Sequence, residues 1–248
     1  MAEEKQHKND MYGNIDARSE ADEGVLPPIP AATVVLLREA GESYEVLMLK
    51  KNSKITFGGM WVFPGGKIDA EDYGEDGDLE KAARTASVRE TIEETGITLD
   101  SNDFIHFAHW TPPPGPQKRF ATWFFIARSK HSERVEIDEG EIKDHQWITP
   151  SEALSKHASG DIDLVPPTWI TLNHLSLYST IREVLDHFSS ATPKKYETRV
   201  VKSADDNRVA MWKGDAGYDA WNADLDGDRH RLVMANGGFI FENTVEGY

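Results

Sequence analysis

The stretch SVRETIEETG, residues 87–96, constrains this chain more than any other. Glu90, Glu93 and Glu94 fall within about one helical turn beside Arg89, and like charges at i and i+4 repel on a helix surface. Asp78 is a good N-cap and Gly96 a good C′ residue, so the pattern predicts a helix over 79–95. On a wheel of about 100° per residue, Leu79, Ala82, Ala83 and Ala86 form one stripe. Glu90, Glu93, Glu94 and Ile97 continue it, while Val88 and Ile92 lie opposite with Thr85 near them. Apolar character on two sides predicts a sandwiched helix with its acids toward a cleft. Buried carboxylates cost several kcal/mol unless paired or bound to a cation. Arg89 neutralises one of them. All-oxygen ligation of the remainder selects a hard divalent ion, Mg²⁺ or Mn²⁺ before zinc, and Mg²⁺ usually completes its shell with substrate phosphates.

The bulk properties narrow the partners. Among 248 residues the formal net charge is −16, which argues against a nucleic-acid backbone binder. It leaves room for an anionic small substrate, because a metal reverses the local sign. There is no cysteine, hence no thiolate metal site, disulfide or thiol nucleophile. No apolar run approaches the roughly 18 residues of a membrane span, and residues 1–24 lack the apolar core of a secretory signal. The expectation is a soluble cytoplasmic protein.

Three regions are expected: a flexible arm over 1–28, a main domain over 29–191, and an extension over 192–248. The run AATVVLLREAGESYEVLMLKK reads as a hairpin turning at Gly-Glu-Ser. A short strand, Trp61 to Phe63, is stopped by Pro64 and two glycines. Strands are expected over 104–110 and 120–128, joined by TPPPGPQKR, and another in EIKDHQW before a helix starting at Pro150 and Ser151. PPTWITLNHLSLYSTIREVLDHF places Leu172, Leu175, Ile181 and Leu185 at helical spacing, an ordinary core stripe or a homodimer surface. After Thr192 the pattern weakens to pieces such as RLVMA and GGFIFE. Mixed strands and helices without strict alternation point to an α+β or layered α/β/α architecture.

With GGKID and REtiEEtGI in place, the chain resembles the Nudix box, G-x5-E-x7-R-E-U-x-E-E-x-G-U with U aliphatic. Gly66, Arg89, Glu90, Glu93, Glu94, Gly96 and Ile97 match it. The resemblance implies a MutT-like α/β/α fold with a mixed sheet over about residues 29–190. It also implies Mg²⁺- or Mn²⁺-dependent hydrolysis of a nucleoside diphosphate derivative. In that family Glu90 and Glu94 would be principal metal ligands and Glu93 a further one. Arg89 would orient a glutamate, and the Gly66 carbonyl would join the metal shell.

The sequence departs from the box in three places. The box sets its glycine and arginine fourteen positions apart, whereas Gly66 and Arg89 are twenty-three apart. The first box glutamate falls at Lys81, and the aliphatic position after Arg-Glu is Thr91. The inserted DAEDYGEDGD is read as a solvated loop, with extra catalytic acid as the alternative.

Hydrolysis also needs a base and cations on the leaving phosphate. Glu90 is one candidate base; Glu139 and Glu141 are rivals, and Glu141 better fits the place where this family brings a glutamate near the metal. Arg119 and Lys118 are candidate phosphate contacts, the arginine bidentate. WTPPPGPQKRFATWFF and LVPPTWITLNHL resemble one Nudix branch, the CoA and acyl-CoA diphosphatases, which carries an insertion inside its box. Peroxisomal members of that branch end in a targeting tripeptide, which VEGY is not. The resemblance favours a CoA-like substrate. An ADP-ribose or NADH pyrophosphatase and a non-catalytic nucleotide-sensing module are the alternatives. DLDGDRHR fails the EF-hand pattern at its sixth and twelfth positions, Arg229 and Ala235. His106 and His109 are expected on opposite faces of a strand.

Overall fold

The computed structural model describes residues 27–53, 57–114, 118–129, 134–138, 140–235 and 238–245. Most of the arm read over 1–28 lies outside these residues, and so do Glu139 and the final three residues. The described chain forms two compact units. One comprises residues 28–111 and 120–195; the other holds 112–114, 118–119 and the chain from 196 onward.

The first unit is built on the hairpin of β1 (Ile29–Ala40) and β2 (Ser43–Lys51), which turns at Gly41 with φ 63°. β3 (Trp61–Val62) and β4 (Gly65–Lys67) follow, then helix α1 (Leu79–Thr95). Next come β5 (Ile105–Thr111), β6 (Phe120–Arg128) and β7 (Ile142–Ile148). Helices α2 (Pro150–Ala158), α3 (Pro166–Leu175) and α4 (Ile181–Ser190) lead to β8 (Lys194–Glu197). The sheet order is β3-β2-β1-β6-β5-β8, with β4 paired to β1 and β7 to β2. β1 and β6 run parallel, while β1–β2, β1–β4, β2–β3, β2–β7 and β5–β6 are antiparallel, so the sheet is mixed.

Burial on both faces explains the continuous apolar run in β1. Ala32, Val34 and Leu36 join Leu47, Leu49, Phe125 and Ala127 beneath Ala82, Ala83 and Ala86 of α1. On the other face, Tyr44 donates its hydroxyl to the Leu175 carbonyl at 2.5 Å, and Phe107 stacks edge-on against Phe188 at 5.2 Å. The result is the layered α+β arrangement expected.

Several local expectations change. The expected strand stop at Pro64-Gly65-Gly66 is instead followed at once by β4, with Gly65 opposite Thr33 and Gly66 opposite Ala32. The segment from Pro166 forms two helices, not one. Thr180 caps the second, its hydroxyl accepting from the Glu183 amide while the Glu183 carboxylate accepts back. Leu172, Leu175 and Ile181 are buried in this unit, so that stripe is core. His106 and His109 do not diverge: a register shift between His106 and Ala108 brings both rings against Trp123, at 4.6 and 5.2 Å. A bulge adds one residue and reverses the expected alternation.

The second unit is more ordered than its sequence pattern suggests. β9 (Arg199–Lys202), β10 (Arg208–Met211), β11 (His230–Ala235) and β12 (Gly238–Asn243) form an antiparallel sheet in the order β12-β11-β10-β9. Trp212, fully buried, donates its indole N–H to Thr198 Oγ1 at 3.0 Å. Asp215 and Arg231 form a buried bidentate pair here.

Candidate active site

Helix α1 has the expected bounds. Asp78 accepts from the Lys81 amide at 2.9 Å, and Gly96 closes the helix in the left-handed region at φ 71°. Its faces differ from the wheel. Leu79 and Ile92 are exposed at 38% and 42%, so the helix is not sandwiched between two apolar surfaces. The buried side passes from Ala82, Ala83 and Ala86 to Ser87, Thr91 and Thr95 in the last turns. The two threonine hydroxyls are satisfied within the helix: Thr91 Oγ1 donates to the Ser87 carbonyl and Thr95 Oγ1 to the Thr91 carbonyl. This rotation leaves Glu94 buried, Glu90 half-buried and Glu93 at the rim with its side chain 58% exposed.

The two glycines before the helix allow close approach, Gly65 to backbone and Gly66 to a carboxylate. A Cβ on Gly65 would overlap the Ala32 carbonyl and Thr33, and one on Gly66 would overlap the Glu90 carboxylate. The turn is locked to β1 by Thr33, whose hydroxyl and Val34's amide both donate to the Pro64 carbonyl, at 2.6 and 3.0 Å. The Gly65 amide then donates to Glu94 Oε2 at 2.9 Å. Glu90 and Glu94 thus face glycine backbone where no side chain intervenes.

Arg89 hydrogen-bonds to three carboxylates and has a fourth, Asp69, at 3.6 Å. Its Nε and Nη2 donate to Asp72 at 3.0 and 2.8 Å, and Nη1 is shared between Glu90 at 2.9 Å and Glu93 at 3.3 Å. Nη2 also donates to the Lys67 carbonyl at 3.0 Å. The Asp72 bonds, with burial opposing and Glu90 adding, raise the arginine's proton affinity further. Asp72 comes from the insertion read as a solvated loop. Residues Ala70–Asp72 instead form a 3-10 turn with Asp72 5% exposed and its Oδ2 accepting from the Asp69 amide. Burial alone would raise the Asp72 pKa, but Arg89 and that amide bring it below the ordinary value. Residues 73–78 of the insertion are exposed, including Glu75 and Asp76. Lys81, at the first box-glutamate position, points to Asp76 across solvent at 2.5 Å.

A second cation was not anticipated. Lys51 Nζ lies 2.6 Å from Glu94 Oε1 and 3.6 Å from Glu141 Oε2. Burial weakens its charge, but Glu94, Glu141 and Glu90 together hold its pKa above the ordinary value. Its signal in the sequence is phase: Leu47, Leu49 and Lys51 alternate on one strand face. Glu94, by contrast, is pushed up to about 7 by burial, with Glu90 adding to the rise and Lys51 and the Gly65 amide opposing it. Burial also raises Glu90, with Glu93 adding, against Arg89 and Lys51.

Glu141 is exposed, but its backbone is fixed. Its amide donates to Asp138 Oδ2 at 2.8 Å and its carbonyl accepts from the Asn52 amide at 2.7 Å. In the other unit, Arg119 donates to the Pro112 and Pro113 carbonyls at 3.2 and 3.3 Å, and Lys118 is exposed. Among the described residues no three Asp, Glu or His side chains already converge as a metal-holding group. Glu94 is engaged with Lys51, and Glu93 with Arg89. The donor chemistry nevertheless fits a hard divalent cation. Among the described residues Asp72, Glu90 and Glu93 pair with Arg89, and Glu94 and Glu141 with Lys51, so five carboxylates share two cations, and the Glu90 carboxylate lies directly against Gly66.

Comparison with known proteins agrees with this geometry. The family model for the NUDIX domain matches residues 27–167, more than half of the chain. The chain therefore belongs to the Nudix family, and it is a diphosphate-cleaving hydrolase. It is 24% identical to the acyl-coenzyme A diphosphatase NUDT19 of Xenopus laevis, an alignment covering 82% of this chain and 78% of the frog protein. The Homo sapiens protein of that name is 26% identical over 65% of this chain and 43% of its own length. A putative nudix hydrolase 7 of Caenorhabditis elegans is 24% identical over 59% of this chain and 60% of its own. The crystal structure of a NUDIX hydrolase from Alicyclobacillus acidocaldarius shares the fold, with TM-score 0.58 and 21% identity over 67% of this chain and 99% of that one. Among the described residues no helix is long and apolar enough to cross a membrane.

Proposed function

We propose that this protein hydrolyses the diphosphate bond of CoA or an acyl-CoA with Mg²⁺ or Mn²⁺. The observation that carries the reading is the turning of Glu90 and Glu94 onto the Gly65-Gly66 backbone. Glu90, Glu93, Glu94 and the Gly66 carbonyl would hold the cation. When bound, it supplies positive charge to the phosphates and a water acidic enough to ionise near neutral pH. Arg89, clamped by Asp72, holds the Glu90 carboxylate in place. The water proton passes to Glu90 or Glu141. Partial burial raises the proton affinity of Glu90, which suits it to this task. Glu141 offers an exposed carboxylate on a backbone pinned by Asp138 and Asn52. The water oxygen bonds to one phosphorus, the bridging P–O bond breaks, and two phosphate-bearing products leave. Arg119 and Lys118 are assigned to the substrate's anionic groups. The hydrolase domain in this reading spans 29–191, and 192–248 is an extension.

CoA is favoured over other nucleoside diphosphate derivatives for two reasons. The frog and human relatives bear the acyl-coenzyme A diphosphatase name, and the segments after the box resemble that branch. The test is a panel of CoA, acyl-CoA, ADP-ribose and NADH with Mg²⁺ or Mn²⁺, products being identified by mass spectrometry. CoA turnover yields 3′-phosphoadenosine 5′-phosphate and 4′-phosphopantetheine. Faster cleavage of ADP-ribose or NADH refutes the CoA assignment. Tight nucleotide binding without turnover of any substrate refutes catalysis.

A further inference from the structure

Among the described residues, Lys51 is a largely buried charge at this site to which neither the box nor the proposed reaction gives a task. It occupies the last position of β2, two residues beyond Leu49 and four beyond Leu47, whose side chains pack under α1. The strand's alternation therefore points Lys51 at the same helix. Its backbone is fixed to the neighbouring segment: its amide donates to the Met60 carbonyl and its carbonyl accepts from the Gly59 amide, each at 3.0 Å. The side chain is 11% exposed, with the ammonium 2.6 Å from Glu94 and 3.6 Å from Glu141.

Glu94 is consequently held at both oxygens. Oε2 accepts from the Gly65 amide and Oε1 from Lys51. The amide belongs to a strand paired with β1 and cannot withdraw. The ammonium can, because it ends a four-carbon stem and has a second carboxylate, Glu141, 3.6 Å away. A divalent cation and an ammonium within bonding distance of one buried carboxylate oxygen repel each other strongly.

We propose that Lys51 is the resident counter-ion of Glu94 in the cation-free protein, and that it moves from Glu94 toward Glu141 when the divalent cation binds. Lys51 thereby sets how tightly the cation is held. It prevents a buried, unpaired carboxylate before loading and opposes loading by its own charge. This rests on the reading of Glu90 and Glu94 as a cation site, and the test separates the two.

The full-length protein is titrated with manganese chloride at pH 8, free Mn²⁺ being read by its electron paramagnetic resonance signal. Lys51→Met should bind Mn²⁺ at least about tenfold more tightly than the unsubstituted protein, since a like charge beside the site is gone. Lys51→Arg, which keeps the charge, should bind no more tightly. In thermal melts, Lys51→Met without metal should unfold at a lower temperature, and Mn²⁺ should raise its midpoint by more than it raises that of the unsubstituted protein. If Lys51→Met does not fold, Lys51→Gln serves the same comparison. Mn²⁺ binding that is unchanged or weaker on removal of the charge overturns the role of Lys51 and leaves the cation site standing. Absence of Mn²⁺ binding in every variant overturns both.

Discussion

Each unit of this protein buries an acid against a base, and the two arrangements differ in how completely the acid is satisfied. Asp215 is fully buried in the second unit. Arg231 grips it through Nε and Nη2, each at 2.6 Å, and the amides of Gly217 and His230 donate to it at 2.8 and 2.9 Å. Burial alone would raise its pKa, but Arg231 and the two amides bring it below the ordinary value. Glu94 in the first unit has a single ammonium and a single amide, with Glu90 nearby, and is pushed up to about 7 by burial. The same chemistry thus gives a closed structural pair in one place and an acid with unmet demand in the other. Perturbation of the second kind is characteristic of functional sites.

The contrast is sharpest under substitution. Glu94→Gln keeps size and removes charge, so turnover should fall by about 10³-fold or more, the loss of several kcal/mol of transition-state stabilisation. The fold should persist. Steady-state kinetics and circular dichroism check this, and near-normal turnover would remove Glu94 from the site. Asp215→Asn should act in the opposite manner. It leaves the Arg231 charge, 5% exposed, without its carboxylate, and chemical denaturation should show a loss of about 3 kcal/mol in the unit that holds it. A stability change well under 1 kcal/mol would mean the pair is not a closed structural element.

Asp72 stands between these cases, because it is saturated like Asp215 but holds an arginine that holds Glu90. Removal of a group that orients a ligand typically costs about 10- to 100-fold, so Asp72→Ala should lower kcat by that factor with little change in KM. Asp72→Glu should recover part of the loss. A lowered melting temperature with unchanged kcat would show that Asp72 supports the fold alone.

Much of the architecture around these acids was legible in the sequence, for identifiable reasons. Caps Asp78 and Gly96 bound α1, because a helix end must satisfy its free amides and carbonyls locally. The β1–β2 hairpin was visible from its apolar runs. The division between α3 and α4 was also written in the sequence, as Thr180-x-x-Glu183, the reciprocal cap signature, but the longer apolar periodicity masked it. Asp72 was hidden because nothing in an acidic, glycine-rich stretch marks which carboxylate meets an arginine seventeen residues later. Lys51 was hidden by its neighbours: in Lys50-Lys51-Asn52 both lysines read as solvated until the strand phase is followed from Leu47. The bulge that brings His106 and His109 together leaves no compositional trace. The strands of the second unit are four to six residues long, too short for alternation to rise above chance.

The smallest effect expected is also the one that sets the two acids against each other most directly. Without metal, Glu94 has a folded pKa of about 7 against an ordinary value of 4.5, so between these limits the folded state holds more protons than the unfolded. Its contribution to stability is present below 4.5 and is lost as pH rises through about 7. Asp215 has the reverse sign. Its folded pKa lies below the ordinary 3.8, so its contribution is present above that value and is lost as pH falls through the folded pKa. Thermal melts in a chelator from pH 3 to 8 should separate them. Relative to the unsubstituted protein, Glu94→Gln should gain in stability as pH rises from about 4.5 to 7, because the unfavourable slope is removed. Asp215→Asn should be closest to the unsubstituted protein at the acid end and diverge as pH increases. Saturating Mn²⁺ should erase the Glu94 slope, since a bound cation keeps that carboxylate ionised, and leave the Asp215 slope as it was. A Glu94 slope that survives saturation would place the cation away from Glu94.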